Sequence, residues 1–281
     1  RGFRDGATRL AADAAQGGAG LTAMATNMVQ GADMDFVLAC ERRIVNAWPS
    51  PATLLIDDWV VRFAGGYSGR ANSASPLKPG AELDEETLSL IEELFRSDGL
   101  PPCIRLTPLV GAATLAMVKE RGYVVRDASF GLIRPLDDVT AEIEPDLQIE
   151  ARPSADWIAG VAARQTGIKA DAGKLAAIVE GVRLPAAFAT WLIAGEPVAY
   201  GMSVAERGMA EIGSVVVDPA HRGQGLGRRL IAGLMGWARA MECQQAYLQV
   251  DQTNAVANGL YRSMGFQRLY AYETRVLELA G

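Results

Sequence analysis

Apolar and polar positions alternate most clearly over residues 189–279. Ala189–Ala194 (ATWLIA) and Val198–Val204 (VAYGMSV) flank Gly195-Glu196-Pro197, which predicts a β-hairpin. Glu211–Val217 (EIGSVVV) predicts a third strand, closed by Asp218-Pro219. A glycine-rich loop follows, from His221 to Gly227. Leu226, Leu230, Ile231, Leu234, Met235 and Ala238 then recur at helical spacing. Ala246–Val250 reads as a strand, and Asn254–Met264 as a helix stopped by Gly265. Phe266–Leu279 holds a last strand. In the first half, Trp59–Phe63 (WVVRF) is the clearest strand.

Strand, glycine loop and helix form a place for an anion. Glycines let backbone N–H groups converge at a helix N-terminus, whose dipole favours phosphate. Arg222, Arg228 and Arg229 add positive charge there. Walker A spacing is absent, and the glycines at 223, 225 and 227 do not match the dinucleotide fingerprint GxGxxG. Arg222-x-x-Gly225-x-Gly227 after a strand resembles instead the acyl-CoA loop of the GNAT superfamily of N-acyltransferases. Val215-Val216-Val217-Asp218-Pro219 precedes the loop as in that superfamily. Asn254-Ala255-Val256-Ala257-Asn258-Gly259-Leu260-Tyr261, then Gly265-Phe266, is similar to its N-x-x-A-x-x-L-Y…GF signature. The resemblance covers roughly residues 189–277 and looks nearest to the ribosomal-protein alanine N-acetyltransferases.

It implies acetyl-CoA as co-substrate, no metal, and direct attack on the thioester by a primary amine of a small metabolite or a protein N-terminus. Val215, Val216 and Val217 would present backbone to the pantetheine arm. Arg222, Gly223, Gln224, Gly225, Leu226, Gly227 and Arg228 would hold the pyrophosphate, and Asn254 and Ala257 would face the pantetheine. Tyr261 would protonate the departing sulfur; alternatively it is a packed aromatic behind Gly265-Phe266. Glu211 is the candidate general base, because strand alternation puts Glu211, Gly213, Val215 and Val217 on one face. The other reading of Glu211 is a solvated strand-end carboxylate. His221 reads as a solvent-facing neighbour of the loop.

A weak internal repeat accompanies these motifs. Pro76 and Pro219 are 143 positions apart, and so are Gly122 and Gly265. At that offset Tyr261 falls on Val118, Asn254 on Gly111 and Arg222 on Pro79, so the first copy lacks the chemistry. The expected fold class is α+β: two tandem GNAT-like domains, each a mixed, mostly antiparallel sheet flanked by helices, the first degenerate. The expected segments are a leader (1–33, with Met24, Met28 and Met34 as plausible starts), a degenerate domain (34–145) and a catalytic domain (146–281). In the first half the polar loop 65–73 stands out. Its Arg70, Asn72 and Ser73 are candidates to bind the acceptor, or else staple a connecting loop.

Composition narrows the rest. The chain has 281 residues, 49% hydrophobic and 21% charged, which excludes disorder across most of it. The net charge of 27 − 33 = −6 argues against a nucleic-acid partner. Cys40, Cys103 and Cys243 are widely spaced and read as buried thiols of a reducing compartment. No apolar stretch reaches the ~18 residues of a membrane span. These features fit a cytoplasmic enzyme, monomeric or homodimeric. The rival reading is an acetyl-CoA sensor without turnover.

Overall fold

The computed structural model describes residues 33–279. The leader expected at 1–33 lies outside the described residues except for Asp33. That residue caps the first helix, α1 (Met34–Ala47), by accepting from the Asp35 N–H. Val37, Cys40, Glu41 and Ile44 form the buried stripe of α1.

Strands β1 (Ala52–Ile56), β2 (Trp59–Phe63) and β3 (Ala74–Pro76) follow. Then come α2 (Glu85–Ser97), β4 (Cys103–Leu106), α3 (Ala112–Glu120) and the long β5 (Val124–Pro135). The second half runs β6 (Leu147–Glu150), α4 (Ala155–Ala162), a single 3-10 turn (Gly167–Ala170) and α5 (Ala172–Val179). It continues with β7 (Ala186–Ile193), β8 (Glu196–Glu206), β9 (Met209–Val217) and α6 (Leu226–Ala240). It closes with β10 (Gln245–Asp251), α7 (Ala255–Ser263) and β11 (Gln267–Val276).

The hairpin is present, but its turn is Ala194-Gly195, both with positive φ, and Glu196 and Pro197 belong to β8. Two left-handed residues match the twist of the flanking strands, which a Gly-Glu-Pro turn would not supply.

One sheet replaces the two expected. Its order is β1-β2-β3-β4-β11-β5-β10-β9-β8-β7-β6. The sheet is mixed and mostly antiparallel; the parallel pairs are β3–β4 and β9–β10. The last strand of each half lies inside the other half: β11 separates β4 from β5, and β5 separates β10 from β11. Helix and strand positions repeat at the offset seen in the sequence. Helix α7 begins 255 − 112 = 143 and ends 263 − 120 = 143 residues after α3. Strand β11 begins 267 − 124 = 143 residues after β5.

One core packs α6 against β7, β8 and β10 through Leu230, Leu234, Ala199 and Leu248. On the opposite face Trp157, Ile178, Phe188 and Met202 join α4 and α5 to Trp48 and Tyr67 of the first half. A third core holds α2 on β2 and β4. Cys40, Cys103 and Cys243 are all free and buried.

Candidate active site

Strands β9 and β10 pair over only three residues, ending at Glu211↔Tyr247. Beyond that point β9 meets a bulge. Met202 faces Gly213 and Tyr200 faces Val216, so β9 carries one extra residue. Ser214 takes up the distortion, with φ 53°. A cavity of about 1040 Å³ opens there, walled by Ile212–Val217 on one side and Gln249–Asp251 on the other.

The bulge corrects the expected alternation. Ile212, Val215 and Val217 pack on the α6 side, whereas Val216 packs on the α4–α5 side. Glu211 and Gly213 precede the bulge, so strict alternation places them opposite Ile212 and therefore opposite Val215 and Val217. Glu211 is buried, not solvated. Its Oε1 accepts from Arg70 Nη1 at 3.0 Å, and its Oε2 has no partner among the described residues. A Cβ at Gly213 would sit 3.2 Å from both carboxylate oxygens, so the missing side chain leaves Glu211 its space. Burial pushes the Glu211 pKa up, and Arg70 opposes that shift. The Arg70 guanidinium also lies over the Trp48 ring, 5.1 Å from its centroid.

At the other end of the cavity, Gly223 and Gly225 have φ of 77° and 79°, a left-handed conformation that L side chains resist. Gly225 is the N-cap of α6 and supplies no side-chain cap, and the first turn holds no acid. The first N–H groups of a helix lack intrahelical acceptors, so this end offers donors and dipole to an anion. Arg222 Nε donates to Val217 O, which folds that side chain along the loop. Arg228 lines the cavity and donates to Ser263 Oγ at 2.6 Å. Arg229 turns away to Glu144 and stacks 4.4 Å from the Trp191 ring. Glycine flexibility, free helix donors and Arg228 together fit a diphosphate.

Asn254 caps α7, its Oδ1 accepting from the Ala257 N–H at 3.0 Å. Asn254, Ala257 and Tyr261 all line the cavity. The Tyr261 ring meets Phe266 edge-on at 5.7 Å, so the residue is packed and also faces the cavity. Burial first, then the charge of Glu211, pushes its pKa up to about 12. The hydroxyl therefore keeps its proton at neutral pH.

Two acceptor candidates fail structurally. Asn72 is buried and accepts from the N–H groups of Ala64 and Gly66. Ser73 is buried and donates to Gly69 O at 2.6 Å. Both staple the 65–73 loop, whose internal backbone needs those bonds. Only Arg70 of the three reaches the cavity. His221 sits beside the loop and 3.8 Å from Asp218 Oδ1.

The sequence reading missed a buried polar network behind the cavity. Arg105 donates to Glu41 Oε2 at 2.7 Å, Gln249 Nε2 donates to Glu41 Oε1, and Tyr272 donates to Gln249 Oε1 at 2.8 Å. The available signal was a charge inside an apolar strand, Arg105 in CIRL.

The family model for the C-terminal region of the probable histone acetyltransferase Rv0428c matches residues 37–274. The chain belongs to this family. It is a GNAT-superfamily acetyltransferase. It is 25% identical over 249 residues to the uncharacterized N-acetyltransferase YobR of Bacillus subtilis, covering 86% of this chain and 99% of that one. Two solved structures share the fold. A GCN5-related N-acetyltransferase from Kribbella flavida aligns with TM-score 0.64 at 16% identity, over 88% of this chain and 96% of that one. A tandem GNAT protein from the clavulanic acid biosynthesis pathway aligns with TM-score 0.55 at 13% identity, over 86% and 88%. GNAT acetyltransferases use acetyl-CoA. Among the described residues no group of His, Cys, Asp and Glu is arranged to hold a metal, and no helix is long and apolar enough to cross a membrane.

Proposed function

We propose that the chain is a tandem of two GNAT-related halves in which only the second binds acetyl-CoA and transfers its acetyl group to a primary amine. The 143-residue recurrence of helices and strands supports the tandem reading. The observation that carries the catalytic reading is the placement of Glu211. It is a buried carboxylate with one unpartnered oxygen, next to the divergence of β9 and β10 and electrostatically coupled to Tyr261.

Bound acetyl-CoA supplies the acetyl thioester that the amine attacks. The backbone of Val215–Val217 pairs with the pantetheine as an added strand does. The α6 N-terminus and Arg228 hold the diphosphate, and the Asn254 Nδ2, left free by the cap, donates to the pantetheine. Glu211 takes a proton from the acceptor ammonium at Oε2, directly or through one water. Tyr261 delivers its hydroxyl proton to the sulfur that leaves. It is reprotonated by the second proton lost from the acetylated nitrogen, so the one net proton released is that taken by Glu211. Holding both reactants in one cavity supplies much of the rate advantage.

Calorimetric titration of the full chain with acetyl-CoA tests the donor. The expected result is one site per chain of about micromolar affinity, with CoA release once an acceptor amine is added. Absent binding by folded protein would remove the donor assignment. Binding without CoA release across a broad amine panel would favour a sensor.

A further inference from the structure

We propose that the acceptor carries a carboxylate beside its amine and that Arg126 is the residue that recognises it. This rests on the acetyl-transfer reading above.

The chain is acidic overall, with a net charge of −6, yet its cavity is lined by six Lys and Arg side chains and only two Asp. Three of the six cations, Arg70, Arg164 and Arg126, have an acidic partner. Arg222 and Arg228 flank the α6 loop, Arg164 is held by Asp218 and Arg70 by Glu211. Asp251 accepts from the N–H and hydroxyl of Thr253. Arg126 of β5, paired through Nε with Asp127, lies on the wall shared with the 66–70 loop, and Lys169 lies on the nearby 3-10 turn.

Arg126 is built for a planar anion. Its Nε donates to Asp127 Oδ2 at 3.1 Å, which fixes the plane of the guanidinium. Neither Nη has an oxygen acceptor among the described residues, and the guanidinium also neighbours the buried Cys103 thiol. The side chain is one-third exposed. A Cβ at Gly69 would stand 2.4 Å from Nη2, so a glycine is what lets the guanidinium lie against this loop. Two parallel N–H donors match a carboxylate in bidentate fashion, which an ammonium does not. The residue after Gly69 is Arg70, the partner of Glu211, so the anion subsite adjoins the base. A lysine-rich peptide would bring further cations against Arg126 and Lys169, which like-charge repulsion disfavours.

The test uses the full chain, acetyl-CoA and matched acceptors: amino acids against their decarboxylated amines, with a lysine-rich peptide as a third arm. The carboxylated member of each pair is expected to show a kcat/KM about tenfold higher or more. Arg126→Gln should abolish that preference while leaving the KM for acetyl-CoA and the rate on decarboxylated amines unchanged. Arg126→Lys should restore part of it. Gly69→Ala keeps the charge but displaces the guanidinium, and should lose the preference likewise. Equal use of both members, a preference for the lysine-rich peptide, or a preference that survives Arg126→Gln overturns the proposal. A second measurement separates it from the donor reading. A carboxylate without an amine, 3-phenylpropionate, is titrated into CoA-loaded protein and followed by tryptophan fluorescence. Saturation in the wild type and none in Arg126→Gln is expected. A flat wild-type titration alongside normal acetyl-CoA binding overturns the anion subsite alone, whereas lost acetyl-CoA binding overturns the donor reading.

Discussion

Helices α2 and α6 begin within two residues of each other at the 143-residue offset and carry opposite chemistry. Helix α2 is capped by Asp84, which accepts from the Thr87 N–H at 2.7 Å, and its first turn holds Glu85 and Glu86. Helix α6 starts at Gly225 with no side-chain cap and no acid. At the 143-residue offset, Arg228 and Arg229 replace Glu85 and Glu86, and Gly225 replaces Glu82. The first half spends its own carboxylates on its helix terminus; the second leaves donors for a ligand. The loops differ likewise. Ala81 bridges to Val110, and Glu82 accepts from the N–H groups of Ala113 and Thr114, so the first-half loop is zipped to the start of α3. The corresponding part of the second half is open cavity. The two helix N-termini thus differ as much in what the chain withholds from them as in what it adds.

Exchanging residues between the halves probes this contrast. The largest effect is expected at Glu211, whose counterpart at the offset is Ser68. Glu211→Gln should lower kcat on the order of 100-fold or more while acetyl-CoA affinity holds, as seen by CoA release and calorimetry. Unchanged turnover would move the base elsewhere. Next comes Gly225→Glu, which installs the first-half residue. It forces a side chain onto φ 79° and sets a carboxylate where phosphate should bind. Acetyl-CoA affinity should fall on the order of 100-fold, and retained affinity would break the comparison at its centre.

The third effect is a pH shift. Burial raises the Glu211 pKa and Arg70 lowers it, so the ionised base disappears as pH falls through that raised value. Removing Arg70 removes the opposing influence. In Arg70→Gln the acidic limb of the kcat profile should move to higher pH, and a limb that stays put would deny Arg70 this role. The smallest effect is expected in the first half. Glu82→Gln should cost about 1 kcal/mol in denaturant unfolding through a weaker start to α3. It should leave acetyl-CoA binding as it was, and any loss of binding would mean that the first-half loop serves the cofactor after all.

Local pattern carried most of the second half into view. The helical spacing from Leu226 to Ala238, the helix read from Asn254 to Met264 and the Gly265 stop all correspond to observed structure. Tyr261 and the loop line one cavity, and Glu211 is buried where the β9–β10 pairing ends. What stayed hidden depends on distant partners. Arg70 meets Glu211 across 141 positions, and nothing local in either segment announces the pair. The Ser214 bulge reverses strand parity without a glycine to mark it at that position. Asn72 and Ser73 look like ligand residues because the groups that bind ligands also satisfy loop backbone. Strands β1 to β4 are short, and β1 is exposed along most of its length, so hydrophobic alternation there is faint.

The interleaving of β5 and β11 also bears on how the molecule is made. As the chain emerges from the ribosome, β4 and β5 appear well before β11, the strand that fills the gap between them. Until β10 and β11 arrive, β4 has one open edge and β5 has two, the kind of surface that recruits foreign strands. The two halves therefore mature together rather than in turn, and cutting the chain between them would leave each fragment missing a strand from its interior.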